Sequence, residues 1–269
     1  MKTPRNNFAV HLGALALAVL TAVPSTPSQA QVVALDNADG YPSPPDHNWP
    51  ANNGGFGYNL WTPISDTSGG GTYMEGVGVN NRQVEGNYSF ALYAGGGAYD
   101  ISRQLASPIT SGQFSIITRF DLAGAGPNLV NLRAGNNTSA FGGGELLSFG
   151  IVNGNQLDYT DSAGLHVLPS GEARGSVWDW NVNFNAGTGA YSGSVTNLGG
   201  GFAAFFSGTL ELSGTNVDSF GVINSSTGNS QNLIFDVPEF QATPEPSSMV
   251  LLGLGGVGIL LWLRRGKRS

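Results

Sequence analysis

The chain contains no cysteine, and no lysine lies between residues 31 and 243. Without cysteine the protein cannot use disulfides, thiolate metal sites or a cysteine nucleophile, so core burial and strand pairing must supply its stability. Charged residues are also scarce, at 11% of the 269 residues, whereas 41 residues are glycine. Because glycine is a poor helix former, this composition disfavours a helical protein. An apolar content of 40% disfavours a disordered one.

The few cations are distributed unevenly along the chain. Six of the eleven lie in the terminal segments, and between residues 31 and 243 five arginines stand against seventeen carboxylates, a net charge of −12. A body with this charge repels phosphate backbones. Nucleic acid is therefore not an expected partner.

Residues 1–30 have the three parts of a secretory signal peptide. Lys2 and Arg5 form a positive n-region, an apolar run follows over residues 8–23, and Ser28-Gln29-Ala30 supplies the small residues of a cleavage site. We expect cleavage after Ala30 and export of the segment that follows. The alternative is a retained membrane helix.

The C-terminal segment, residues 242–269, combines a short apolar run with a basic tail. The run over residues 247–263 is shorter than the roughly 20 residues that span a bilayer comfortably, so we expect a marginal transmembrane helix. The tail 264–269 contains four cations, Arg264, Arg265, Lys267 and Arg268. Such cations stay on the cytoplasmic side, which leaves the body outside the membrane.

Preceded by Pro244, Glu245 and Pro246, this run and tail resemble the PEP-CTERM sorting signal of exported proteins in Gram-negative bacteria. The resemblance implies that an exosortase recognises the tail and processes it near the Pro-Glu-Pro, in bacteria that make exopolysaccharide. It also implies a transient anchor in the inner membrane, followed by delivery to the cell envelope or the extracellular space. The alternative is a plain C-terminal anchor.

Between these ends, over residues 31–241, apolar residues recur with a period of two, which is typical of half-buried antiparallel strands. In residues 176–186, for example, Trp178 and Trp180 alternate with polar residues, and residues 112–122 show the same pattern. Further strands are predicted at 88–94, 99–105, 128–134, 146–153, 191–197, 203–212, 217–223 and 232–240. The sequence therefore predicts one all-β domain, an antiparallel β-sandwich of the jelly-roll type.

The block 176–198 consists of a tryptophan-bearing strand, a glycine turn and a tyrosine-led return strand. Together with the last strand it resembles the end of a concanavalin A-like or laminin-G-like sandwich. Residues 36–87 differ, because proline, asparagine, glycine and aromatic residues occur there without alternation. We expect this region to form a loop-rich edge over one side of the sandwich, with one or two short strands.

Residues suited to catalysis are sparse in the body. It has two histidines, His47 and His166, no G-x-S-x-G motif for a serine nucleophile, and no E-x-D-x-x-E triplet of the kind found in jelly-roll glycosidases. The acidic groups nearest to a pair are those of Asp158, Asp161, Glu172 and Asp179, which we interpret as solvated turn carboxylates. The protein is therefore expected not to be an enzyme.

Carbohydrate binding has one supporting feature, a cluster of aromatic residues within the loop-rich edge. The candidates are Tyr41, Trp49, Tyr58 and Trp61, with Phe56 among them. Aromatic rings presented on a loop can stack on sugar faces, while asparagine and aspartate side chains bond to hydroxyls. The alternative is that these rings seal one edge of the sandwich core.

Calcium is the one cofactor for which the sequence offers candidate ligands. Asp36 with Asp39, and Asp158 with Asp161, provide paired oxygens, although neither pair matches an EF-hand loop. The alternative is that these carboxylates bond to the backbone of their own turns.

Three functional hypotheses remain. The first is a non-enzymatic protein of the cell envelope or extracellular matrix that associates with exopolysaccharide. The second is a carbohydrate-binding module that uses the aromatic residues between positions 41 and 61. The third is a glycan-active hydrolase.

Overall fold

The computed structural model describes residues 30–41, 49–52, 54–66, 70–77, 82–95, 97–121, 126–135, 144–152, 154–171, 173–225 and 232–243. All of them fall within one unit of the chain, Ala30–Thr243. The predicted signal peptide before Ala30, the Pro-Glu-Pro motif, the segment 247–263 and the basic tail lie outside the described residues. Within the described ranges, no helix is long and apolar enough to cross a membrane.

Two antiparallel sheets account for the strands in these ranges. The eight-stranded sheet runs through β13 (Ala203–Thr209), β12 (Ala190–Asn197), β11 (Val177–Asn185), β6 (Ser111–Phe120), β15 (Asn232–Ala242), β4 (Tyr88–Tyr93) and β3 (Gly71–Gly76), and β1 (Gln31–Leu35) also pairs with β15. The seven-stranded sheet runs through β10 (Gly164–Leu168), β9 (Leu157–Asp161), β8 (Glu145–Ile151), β7 (Asn128–Arg133), β14 (Val217–Asn224), β5 (Tyr99–Ile109) and β2 (Tyr58–Asp66). Two 3₁₀ helices, Ala38–Gly40 and Trp49–Ala51, lie between β1 and β2.

The core forms where the apolar faces of the two sheets meet. In β11 the apolar members of the alternation, Trp178 and Trp180 among them, are buried, and their polar neighbours face outward. Phe149 of β8 packs on Trp180 with 4.8 Å between ring centroids, and Phe114 of β6 lies 5.5 Å from Phe220 of β14. These contacts cross from one sheet to the other, and the predicted antiparallel β-sandwich is confirmed.

The strands predicted from alternation all occur, with ends displaced by a few residues. The prediction missed β1 and the hairpin of β9 and β10. The loop-rich region 36–87 contributes two strands, β2 of nine residues and β3 of six. β2 is an edge strand of the seven-stranded sheet, and β3 is an edge strand of the eight-stranded sheet. The region therefore adds one strand to each sheet.

A bulge interrupts β15 between Asp236 and Glu239. Val237 adopts a φ of 50° there, which is rare for a β-branched residue. The Asp236 side chain supports the bulge, because its Oδ1 accepts hydrogen bonds from the N–H groups of Val237 at 2.8 Å and Ala38 at 3.0 Å. The bulge thereby joins the last strand to the first 3₁₀ helix.

Candidate functional site

The four aromatic residues that the sequence proposed for sugar binding lie in the core. Tyr41, Trp49, Tyr58 and Trp61 are at most 6% exposed. The rings of Trp49 and Trp61 meet edge to face at 5.0 Å between centroids. Because protein atoms cover their faces, these rings are not placed to stack on a sugar. The four rings instead seal one edge of the core, which is the alternative that the sequence left open. Phe56, the fifth aromatic residue of this region, is exposed.

These rings surround a buried arginine, Arg103 of β5. Its guanidinium carbon lies 4.8 Å from the ring centroid of Tyr58 and 5.0 Å from that of Trp61, and the group forms an ion pair with Asp36. Its nitrogens also donate hydrogen bonds to the carbonyl oxygens of Asn59 at 3.0 Å and Gly54 at 2.7 Å. Burial lowers the pKa of Arg103 to about 9. The cluster fastens the loop-rich region to β5.

Asp36 and Asp39, the first pair of calcium candidates, already bond to other groups of the protein. Asp36 is the partner of Arg103, and a cation beside that guanidinium would be repelled. The carboxylate of Asp39 accepts hydrogen bonds from the backbone N–H groups of Asn87 at 3.0 Å and Tyr88 at 2.8 Å. Asp36 and Asp39 therefore do not fit a calcium site.

The second pair, Asp158 and Asp161, lies in β9 and is buried, so its interpretation as solvated turn carboxylates is wrong. Asp161 accepts hydrogen bonds from the Tyr191 hydroxyl at 2.7 Å and the Ala163 N–H at 2.8 Å, and it contacts His166 Nε2 at 2.9 Å. Burial opposes ionisation, but these hydrogen bonds lower the pKa of Asp161.

Asp158 accepts a hydrogen bond from the Val152 N–H at 3.1 Å. Among the described residues, no group of three His, Cys, Asp or Glu could hold a metal ion. Both carboxylates of this pair thus accept hydrogen bonds from groups of the protein itself. Of the other acidic residues singled out from the sequence, Asp179 lies half-buried in β11 rather than in a turn, and Glu172 lies outside the described ranges, as does His47.

A second ionic cluster is buried on the face of the seven-stranded sheet that points away from the core between the sheets. Arg133 of β7 reaches across Gly221 of β14 to Asp100 of β5, with 3.3 Å between Nη2 and Oδ2. On the other side of Arg133, Glu145 accepts a hydrogen bond from Asn131 at 2.7 Å. Burial raises the pKa of Asp100 to about 6. The charge of Arg133 opposes this rise, and the charge of Glu145 adds to it.

Gly221 makes this bridge possible. A Cβ at that position would lie 2.6 Å from the guanidinium carbon of Arg133. We expect Gly221→Ala to displace the guanidinium from Asp100 and to lower the free energy of unfolding by about 1–3 kcal/mol, measured by urea denaturation. Gly40→Ala is the matched control, because nothing lies within 4 Å of a Cβ there. Equal effects of the two substitutions would contradict the role assigned to Gly221.

An open groove of about 430 Å³ lies across β11, β12 and β13, on the outward face of the eight-stranded sheet. Its lining consists of Asn183, Ser192, Gly193, Ser194, Phe205, Phe206 and Ser207. The two phenylalanines face opposite sides of the edge strand β13. Phe206 points inward and packs on Tyr159 at 4.9 Å between ring centroids, whereas Phe205 points outward and is 88% exposed.

The register of the strands arranges the polar lining in rows. Ser192 lies directly between Asn183 and Ser207, and Ser194 lies opposite Phe205. None of these side chains is charged. Hydroxyl and amide groups can both donate and accept hydrogen bonds, and an exposed phenyl ring offers an apolar face. This combination complements a hydroxylated ring with one apolar face, as in a sugar.

Sequence reasoning missed this groove, although two signals were present. The polar members of the alternation in residues 176–186 include Asn181 and Asn183, which fall on one face opposite the tryptophans. Adjacent phenylalanines at 205 and 206 in a strand must face opposite sides, so one of them had to leave the core.

Comparison with known proteins gives a match at the C-terminus and similarities of fold in the body. The model of the PEP-CTERM protein-sorting motif matches residues 242–265. No curated protein matches the sequence. Among solved structures, the globular domain of T. cruzi calreticulin is similar with a TM-score of 0.50 and 12% identity, over 82% of this chain and 91% of that one.

Lectins are also similar, at lower scores. Peanut lectin has a TM-score of 0.43 and 11% identity over 66% of this chain and 100% of its own, and lectin II from Ulex europaeus has 0.43 and 10% over the same shares. Such identities concern the fold alone. The C-terminal motif implies an exported protein that an exosortase processes. The chain thus contains an antiparallel β-sandwich that is similar in fold to the calreticulin globular domain, followed in the sequence by a PEP-CTERM protein-sorting motif.

Proposed function

We propose that the exported body is a non-enzymatic protein of the cell envelope or extracellular matrix that binds exopolysaccharide through the groove of β11 to β13. One observation carries the proposal: an uncharged lining of hydroxyl and amide groups beside Phe205, a ring that is 88% exposed. A ligand that covers this ring removes apolar surface from water, while its hydroxyls pair with the polar rows.

The proposal includes the expectation that the protein does not cleave the polysaccharide that it binds. Glycoside hydrolysis needs two carboxylates that reach the substrate, and the lining of the groove contains none. Asp100 and Glu145 flank Arg133 on the other sheet, but Asp100 and Arg133 are at most 1% exposed. We therefore expect the purified protein to release no oligosaccharide from the polysaccharide of the bacterium that makes it.

The experiment that tests binding is the substitution Phe205→Ala in the protein purified after export. Loss of the stacking ring should weaken binding to the exopolysaccharide of the producing bacterium about fivefold, or about 1 kcal/mol, in a pull-down or calorimetric titration. The fold should be unaffected, because the side chain makes little contact with the core.

Leu165→Ala serves as the matched control, since Leu165 is an exposed apolar residue of β10 on the other sheet. It should leave binding unchanged. If Phe205→Ala binds as tightly as the unmodified protein, or if Leu165→Ala loses as much, the groove is not the binding site.

A further inference from the structure

The polar surface of the groove continues across two more strands of the same sheet. Beyond Asn183 the register places Gln113 of β6 and then Gln241 of β15. Beyond Ser194 it places Asn181 of β11, Ser115 of β6 and Glu239 of β15. Two parallel rows therefore cross five strands, and their side chains are exposed or half-buried. We call them the polar track; its members are Ser207, Ser192, Asn183, Gln113 and Gln241 in one row, and Phe205, Ser194, Asn181, Ser115 and Glu239 in the other.

The dimensions of the track suit a chain rather than a single ring. Neighbouring strands lie about 4.8 Å apart, so the distance from β13 to β15 is about 19 Å, and residues two apart on a strand separate the rows by about 7 Å. Because β13 is an edge strand, the track is open at that end. A polymer can therefore continue beyond the track at the β13 end.

The chemistry of the track favours a neutral ligand. Glu239, at the far end, is the one charged member, and it already accepts a hydrogen bond from Gln241 at 2.6 Å. Gln113 donates to Asn181 at 3.3 Å, which holds both amides across the centre of the track. Asp179 lies beside the track on β11, and the body as a whole carries a net charge of −12. Glu239, Asp179 and the net negative charge of the body would each repel an anionic polymer.

We propose that the polar track binds an extended segment of a neutral polysaccharide, which lies across the five strands with one sugar on Phe205 and later sugars on Gln113 and Gln241. This inference rests on the proposed function and adds the class of ligand, its direction and its length. Amide side chains present both a donor and an acceptor in one plane, so each can bond to two neighbouring hydroxyls.

The first test measures how affinity depends on chain length. Partial hydrolysis of the exopolysaccharide that binds provides a ladder of oligosaccharides, whose affinities are measured by calorimetry. Affinity should rise with length until the track is filled. Gln113→Ala should weaken binding of the long oligosaccharides about fivefold and leave the shortest unchanged, whereas Phe205→Ala should weaken both. Gln104→Ala, a half-buried glutamine of β5 on the other sheet, is the matched control and should change neither.

The second test measures the effect of ligand charge. Dextran and carboxymethyl dextran of equal length form a matched neutral and anionic pair, and competition with the bound exopolysaccharide reports their relative affinities. The neutral polymer should compete better at low ionic strength, and added salt should narrow the difference. Stronger competition by the anionic polymer would overturn the neutral-ligand inference, as would an anionic composition of the exopolysaccharide that binds.

The outcomes separate this inference from the function on which it rests. If Phe205→Ala weakens binding but Gln113→Ala has no effect at any length, the groove binds sugar and the track does not extend it. If Phe205→Ala has no effect at any length, the proposed function itself fails.

Discussion

Replacing Arg103 with methionine should lower the free energy of unfolding by about 3–5 kcal/mol. The substitution keeps most of the apolar stem but leaves the Asp36 carboxylate buried without a countercharge. It also removes the donors that bond to the carbonyl oxygens of Asn59 and Gly54. Removing one partner of a buried pair costs more than the pair contributed, because the remaining charge stays desolvated. Urea denaturation followed by tryptophan fluorescence measures the change.

A matched control is Arg119→Met. Arg119 belongs to β6, is half-buried, and lies 3.9 Å from Asp121, so its loss should cost less than about 1 kcal/mol. Combining Arg103→Met with Asp36→Asn should recover part of the stability, because the second substitution removes the uncompensated charge. Equal losses for the two arginine variants would show that the aromatic cluster does not depend on the ion pair.

The stability of the protein should fall as the pH rises from 5 to 8. Burial raises the pKa of Asp236 to about 7, with the N–H groups of Ala38 and Val237 opposing this rise and the charges of Asp39 and Glu85 adding to it. The folded protein therefore keeps a proton that the unfolded chain releases above a pH of about 4. Stability is fully present below that pH and is lost progressively up to the folded pKa near 7.

The expected loss is about 2–4 kcal/mol, since each unit of pKa difference corresponds to about 1.4 kcal/mol. Asp100, whose pKa burial raises to about 6, contributes in the same direction. Asp236→Asn should remove most of the slope, as measured by chemical denaturation at several pH values. Asp161→Asn should retain it, because the lowered pKa of Asp161 keeps that carboxyl ionised throughout this window. Stability that stays constant or increases with pH would contradict the assignment to Asp236.

Alternation alone was enough to predict the sandwich, because a half-buried strand requires a period of two whatever its partners are. The C-terminal motif was equally readable, since its elements are contiguous in the sequence. The loop-rich edge was harder, because β2 contains Pro63 and owes its place to pairing with β5 along residues about forty positions away. Such long-range pairing leaves no local pattern.

The buried arginine had a partial signal in the sequence. Tyr99, Ile101, Arg103 and Leu105 share one face of β5, so the charge of Arg103 falls on the apolar side of an otherwise ordinary strand. That pattern indicates a buried charge that needs a partner. Its partner, Asp36, comes from a segment without alternation, and neither spacing nor composition connects the two residues.

The placement of the arginines has a consequence for the resistance of the exported body to proteases. Proteases of the trypsin type cleave after lysine or arginine, and they need an exposed, mobile chain. The body has no lysine, and Arg103, Arg133 and Arg174 are at most 9% exposed. Arg119 lies within the paired strand β6, which leaves Arg82 as the accessible position among the five. The folded body therefore offers proteases of this type few cleavage sites.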